Sequence, residues 1–359
     1  MPYLNQQQRF YLGGGHGRGE ADSAACRPQR CDPMTAAALR LRLGRSPTIY
    51  MATAVLFAVS AVLLPGSLSW MALVSMLPFA GVLALTATGQ TLVIQQRGLD
   101  LSVPGIVSLS ALIVTRYPGL DDGLVLQAMV LAVACAALAG LVSGLCVSLL
   151  SVTPLVATLA VNAFTLGLVQ WLSEGVPSSA AGSLSRWSLG AVAGLPNIAV
   201  VAAAIVAGMA FLLNCTVAGR RFEAVGANPA AAHAAGIRVR AYTVASYVSA
   251  SVLYAVAGIL LAAFLKTPGI FVGEPLLLPT VAAVVLGGTA LTGGVANVVA
   301  SAVAALFLTH LGQIVLSIGA PTSVQLLIQS ATIIVGMSLK SIMEKVSLFR
   351  GGRRAAASN

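Results

Sequence analysis

The side chains of this 359-residue chain that could do chemistry are few: ten acids, three histidines and five cysteines. Among them, Asp100 lies beside an apolar run, in QQRGLDLSVPG, and His310 is the one histidine well inside such a run. A carboxylate or imidazole in that setting can relay a proton or hold a coupling ion, as pumps and ion-coupled carriers require. Each also has a plainer reading. Asp100 follows Gly98 and precedes Ser102 and Pro104, the order of a helix end followed by a capped, proline-opened helix, so capping and a gating role both stand. For His310 the two readings are a hydrogen-bonded interior histidine and a proton carrier. GGTALTGG (287–294) sets Gly288 and Gly293 at the separation of a phosphate-binding loop, but the two positions that should be lysine and Ser or Thr are Gly294 and Val295. A glycine hairpin bounded by Gly287 and Gly294 is expected instead. Cys26 and Cys31 make one C-x4-C pair with His16 as a third ligand candidate, short of the paired spacing of zinc sites. Cys135, Cys146 and Cys215 lie in or beside apolar runs, where a thiol serves as a small apolar group. Neither H-E-x-x-H nor G-x-S-x-G occurs. The expectation is a chain with no catalytic residues, no metal and no cofactor of its own.

Composition says what must position these residues. With 58% hydrophobic and 8% charged residues, the chain falls far below the roughly one quarter of charged positions that a soluble surface needs. A bilayer core about 30 Å thick asks for about 20 apolar residues per helix. Runs of that kind cover 49–68, 70–94, 103–117, 124–150, 155–172, 197–213, 242–265, 276–287, 296–317 and 324–339. The expected fold is an all-α polytopic membrane protein with about ten transmembrane helices, of which the short third and eighth are candidates for broken or re-entrant segments. Period-two alternation, the mark of a membrane barrel, is absent.

The formal charge of +10 is a sorting signal in this setting, because lysines and arginines collect at cytoplasmic helix ends. With ten crossings and both termini cytoplasmic, Arg40, Arg42, Arg45, Arg97, Arg220, Arg221, Arg238, Arg240, Lys340, Lys345, Arg350, Arg353 and Arg354 all fall inside. Arg116, Arg186 and Lys266 fall outside. The bilayer is the partner this distribution implies, not nucleic acid. Residues 1–46, with QQQ and GGGHGRG, read as a disordered basic tail, and Met34 is a possible start. Residues 47–345 form the membrane domain, and 346–359 a solvated cytoplasmic tail.

Within the inside loops, RRFEAVGANPAAAHAAGIRVR (220–240) stands out. Asn228 and Pro229 have the types of an N-cap and first-turn pair, the alanines 230–235 a small-sided helix, and Gly236 its end, with Gly226 permitting the turn before it. An ordinary basic inside loop explains the arginines equally well, but not a capped alanine helix between them. Spans also hold Gln90, Thr91, Gln95, Asn162, Thr165, Gln170, His310, Gln313, Gln325 and Gln329, which can either hydrogen-bond a polar solute along a path or bond helix to helix. Gly140 and Gly144, with Ala136 and Ala137 one turn earlier, form a small face for close helix approach, within the chain or between subunits.

Four segments in order, RGLDLSVPG (97–105), VTPLVATLAVNAFTLGL (152–168), FEAVGANPAAAHAAGI (222–237) and AAVVLGGTALTGG (282–294), resemble the permease subunits of ribose-type sugar ABC importers over about residues 49–345. Relatives of that type show glycine at the positions of Pro104 and Ala227, and often arginine at that of His233. The resemblance implies a translocation path for a monosaccharide or related small polar solute, with ATP bound and hydrolysed by a separate ATPase. It further implies an extracytoplasmic solute-binding protein, for which 173–196 is the candidate docking surface, and a second permease copy, in a bacterial inner membrane. On this basis Arg221, Glu223, Gly226, Asn228, Pro229, Ala231, Gly236 and Ile237 would form the loop that couples to the ATPase. Gly98, Asp100, Ser102, Pro154, Thr158, Gly287, Gly288, Gly293 and Gly294 would be family-motif or gating residues. Gln90, Asn162, Gln170, His310, Gln325 and Gln329 are the path candidates. The alternative reading is an ion-coupled secondary transporter of a small polar solute.

Overall fold

The structure, a computed structural model, describes residues 47–334 apart from 120, 320, 322, 325, 329, 332 and 333. Both tails, Gln325, Gln329 and much of the 324–339 run lie outside the described residues. Helices follow in the order α1 (Pro47–Leu63), α2 (Trp70–Gln95), α3 (Val103–Arg116), α4 (Val125–Ser148), α5 (Pro154–Ser173), α6 (Gly182–Ser188), α7 (Asn197–Cys215), α8 (Val217–Ala227), α9 (Pro229–Ala234), α10 (Val239–Leu265), α11 (Leu277–Leu286) and α12 (Val298–Ser317). Strands β1 (Ala191–Val192) and β2 (Leu195–Pro196) pair antiparallel as a short hairpin. Among the described residues, α2, α4, α5, α7, α10 and α12 are long and apolar enough to cross a membrane, and α1, α3 and α11 are shorter apolar helices. The chain is an all-α multi-pass membrane protein.

Helices α2 and α10 form the centre. Helix α10 packs on α2, α3 and α4, and α12 packs on α2. Apolar burial adds little between helices that already sit in lipid, so close approach of small residues has to hold them together. A Cβ on Gly89 of α2 would lie 2.6 Å from the Tyr254 ring and 3.1 Å from the Ala250 carbonyl of α10. One on Gly258 of α10 would lie 2.4 Å from the Val107 carbonyl of α3. The glycine pair of α4 is spent in the same way inside the chain. A Cβ at Gly140 would meet Ser251 Oγ at 2.5 Å and the Tyr247 carbonyl at 2.7 Å, and one at Gly144 would meet Val244 Cα at 2.9 Å. Leucine at Gly140 is therefore expected to destabilise the protein by about 2 kcal/mol, in the range of overpacking. Thermal unfolding of the detergent-purified protein measures it, and an unchanged midpoint would contradict this seating of α4 on α10.

Several boundaries differ from the hydropathy reading, each for a local reason. The first run breaks at Leu63, because Pro65 and Gly66 turn the chain into a 3-10 segment, Pro65–Leu68. The third run is a 14-residue helix buried along nearly its whole length, so protein rather than lipid surrounds it. The eighth is the 10-residue α11, entered through a 3-10 turn at Glu274–Leu276. Helix α12 starts at Val298, where the Asn297 carboxamide accepts the Ala300 N–H at 3.1 Å. The basic loop is itself structured: 220–227 belongs to α8, so Gly226 sits in a helix and not in a turn.

Candidate functional site

At the end of the bundle that carries Arg97, Arg220 and Arg221, three segments distant in sequence meet. They are the C-terminal end of α2 (95–97), the end of α8 (222–227) and the hairpin 287–294 between α11 and α12. The Gly294 N–H donates to the Gln95 carbonyl at 2.9 Å, and Gln95 Nε2 returns a bond to the Gly294 carbonyl at 3.2 Å. Gln96 Nε2 donates to the Phe222 carbonyl at 2.7 Å. Arg97 Nε donates to the Gly226 carbonyl at 2.8 Å, and its terminal nitrogen donates to the Ala227 carbonyl.

Glycine is required here by proximity more than by turn geometry. A Cβ at Gly226 would lie 2.1 Å from the Gln95 carbonyl oxygen and 3.1 Å from the Gly294 nitrogen. One at Gly293 would lie 2.3 Å from Arg97 Cγ. Gly293 and Gly294 also hold φ of 86° and 83°, a left-handed conformation that a side chain would strain. The glycine-rich segment is thus the hairpin that its missing lysine implied. Gly288 turns the chain out of α11, and Gly287 brings α11 to within 2.6 Å of the Ser301 nitrogen of α12, measured from where its Cβ would be.

From this junction the chain turns at Asn228 into α9. The Asn228 carboxamide oxygen accepts the N–H groups of Ala230 and Ala231, both at 3.1 Å, with Pro229 in the first turn. Gly236, with φ of 77°, follows the helix end, and the Ile237 N–H returns to the Ala232 carbonyl at 3.0 Å. Only Ala232 of α9 is buried, whereas Ala230, Ala231, His233 and Ala234 are exposed. The exposed surface of α9 is accordingly alanine-rich and free of acids, with His233 its one large side chain. Arg221 is exposed and Glu223 half-buried on the adjoining α8.

Past Arg97, itself at φ 65°, residues 98–102 connect α2 to α3. A Cβ on Gly98 would lie 2.4 Å from the Tyr247 hydroxyl. Asp100 is fully buried. Its Oδ1 accepts the Ser102 N–H at 2.8 Å and the Ser102 hydroxyl, leaving Oδ2 without a partner. Neither residue caps α3 as the sequence suggested: Ser102 stands at the N-cap position without a side-chain cap bond. The acceptors come from α5, because turning Asp100 onto Ser102 leaves the start of α3 to be satisfied from outside. Thr158 Oγ1 receives the Leu101 N–H at 3.0 Å, and Asn162 Oδ1 receives the Gly105 N–H at 2.8 Å. Pro154 opens α5 and its carbonyl accepts the Thr158 hydroxyl at 2.9 Å. Pro104 lies in the first turn of α3, where the absent N–H costs no helical bond.

The four path candidates among the described residues are not joined to one another by hydrogen bonds. Gln90, its amide oriented to satisfy its neighbours, accepts the Asp100 N–H at 3.2 Å and donates to the Asp100 carbonyl and the Tyr254 hydroxyl, each at 3.0 Å. Asn162 is committed to Gly105. His310 is buried, 3.0 Å from Ser60 Oγ and stacked on Phe57 at 4.1 Å, which ties α12 to α1. These three bond within the chain, and the fourth, Gln170, is exposed on α5. Sequence reading passed over Gln96 and the tether made by Arg97. The signal was their position, two polar long side chains at the last turn of an otherwise apolar helix.

At the other end of the bundle, Arg116 pairs with Glu174 and Arg186 with Asp122, both at 3.3 Å. The Asp122 carboxyl also accepts the Ser183 N–H at 2.9 Å. That backbone bond, then the Ser183 side chain and Arg186, hold it below the usual carboxylate range. These contacts fix α6, with Trp187 and Leu189 exposed beside the β1–β2 hairpin.

The sequence matches the family model described as branched-chain amino acid transport system, permease component, over residues 72–337. It is 29% identical over 292 residues to the ribose import permease protein of Escherichia coli K12, covering 80% of this chain and 91% of that one. Identity is 31% over 277 residues to the galactofuranose transporter permease protein of the same organism, covering 76% of this chain and 80% of that one. It is 34% over 278 residues to the autoinducer 2 import system permease protein of an Enterobacter species, covering 74% and 78%. No solved structure matches the chain significantly. The chain belongs to this permease family, whose ribose-type branch its four sequence motifs resemble.

Proposed function

We propose that the chain is the membrane subunit of an ATP-driven importer for a monosaccharide or related small polar solute, and that α9 is the element a separate ATPase grips. One observation carries this: α9 is capped at both ends, exposes three alanines and His233 outward, and is anchored inward through α8 to the ends of α2 and of the 287–294 hairpin. An ordinary connecting loop needs none of these features. The relatives, among them permeases for ribose, galactofuranose and fructose, support a sugar-like cargo, which an extracytoplasmic binding protein would deliver. The face around α6 and the β1–β2 hairpin is the surface offered to that protein. In this reading the chain makes ten crossings of a bacterial inner membrane with both termini cytoplasmic, and α9 lies on the ATPase side, which the arginine distribution supports. Because Gln90, Asn162 and His310 are engaged inside the chain, we place the solute path between two permease copies.

The test is reconstitution with an ABC ATPase and an extracytoplasmic solute-binding protein of the ribose type. ATP-dependent uptake of a sugar is expected, with the ATPase co-purifying on the permease. Ala231→Asp, which puts a charge on the outer face of α9 without touching its inner side, is expected to lower both co-purification and uptake at least tenfold while leaving the protein in the membrane. Full uptake by this variant would remove α9 from the ATPase interface.

A further inference from the structure

The docking helix has no polar bond of its own to α2 or α3, yet the helix before it is tied to the break between them by one side chain. The last carbonyls of any α-helix lack intrahelical partners and carry its negative dipole end. In α8 two of these, on Gly226 and Ala227, are taken by the Arg97 guanidinium. That fork is the right shape to hold two neighbouring carbonyls, and its charge matches the helix end. Arg97 is also the residue at which the chain leaves α2, in a left-handed conformation that costs a non-glycine residue free energy and persists where surroundings hold it. On its far side, residues 98–105 are held by α5 through Thr158 and Asn162. The break between α2 and α3 is thus gripped from one side by α8 and from the other by α5.

We infer that Arg97 is the positioning residue through which displacement of α9 reaches the α2–α3 break and, beyond it, α3 and α5. Direct continuity of α9 with α10 supplies a second route, and the arrangement distinguishes the two. A pull on α10 acts on the whole central helix, while a pull through Arg97 acts on the one non-helical joint between two buried helices. Rigid tethers at a flexible joint convert a small displacement into a change of helix angle, which is how hinges work in other proteins.

It rests on the docking reading above, and the experiment separates the two. In proteoliposomes holding the complete complex, uptake and ATP hydrolysis are measured together for the wild type, Arg97→Gln and Arg97→Lys, with ATPase co-purification recorded for each. Glutamine loses the fork and the charge; lysine keeps the charge and the stem over Gly293 but cannot hold both carbonyls. The expected result is normal co-purification for both variants and hydrolysis within about twofold of wild type. Uptake per ATP should fall at least tenfold for Arg97→Gln and about threefold for Arg97→Lys. Equal losses of uptake and hydrolysis would make Arg97 merely structural and overturn the inference, as would an unchanged ratio. Should Arg97→Gln fail to reach the membrane, Arg97→Lys decides, and failure of both would make Arg97 a folding residue. Absence of co-purification with the wild type would instead sink the docking reading.

Discussion

Valine at Gly226 is expected to abolish uptake and to destabilise the purified protein by about 3 kcal/mol, the upper part of the overpacking range. The size follows from what the side chain would meet. A Cβ there falls 2.1 Å from the Gln95 carbonyl oxygen and 3.1 Å from the Gly294 nitrogen, and both are backbone atoms already bonded to each other. No rotamer change can clear them, so α8 has to move away from α2 and from the hairpin at once. With it go the bonds that Gln96 and Arg97 make to the α8 carbonyls. Helix α9 is capped by its own Asn228 and would survive, so the variant is expected to lose transport more completely than ATPase binding. Thermal unfolding and proteoliposome uptake measure the two effects, and wild-type values for both would show that the three segments do not meet as described.

Alanine at Gly105 is expected to cost about 2 kcal/mol and to slow uptake severalfold, and the loss is expected to be partly reversible by a second change. The added methyl would fall 1.9 Å from Thr165 Oγ1 and 2.9 Å from the Asn162 carbonyl. Thr165→Ala removes the first obstacle and leaves the two oxygens of Asn162, at 2.9 and 3.0 Å. The double variant should therefore recover more than half of the lost stability, a non-additivity expected of residues in contact. Purely additive effects would mean that α3 and α5 do not touch at this point. The pair matters because Gly105 also donates to Asn162 Oδ1, so separating the helices unpins the α2–α3 break from α5.

Asn162 shows where sequence reading reached its limit. An amide in an apolar run has two uses, toward a passing solute or toward another helix, and types and spacing do not choose between them. The choice was made by α3, whose start has no acceptor of its own once Asp100 folds back onto Ser102. The same holds for His310 and Ser60, 250 positions apart in the chain. Gly226 was identified for the wrong reason: a glycine in a polar loop suggests a turn, while the actual need is room for a carbonyl from another helix.

What the sequence determined by itself rests on composition and on local signals. Lipid compatibility requires long apolar runs, and Asn-Pro before alanines sets a capped helix through contacts within four residues. Those are properties of short stretches, so they can be read without knowing the fold. The convergence of 95–97, 222–227 and 287–294 is of another kind. Each is a turn or helix end whose backbone groups need partners, and nothing local says which other end supplies them. Only the packing of α2 against α10 and α12 decides that, because it is what brings three helix ends to one place and leaves no room for a side chain at Gly226 or Gly293.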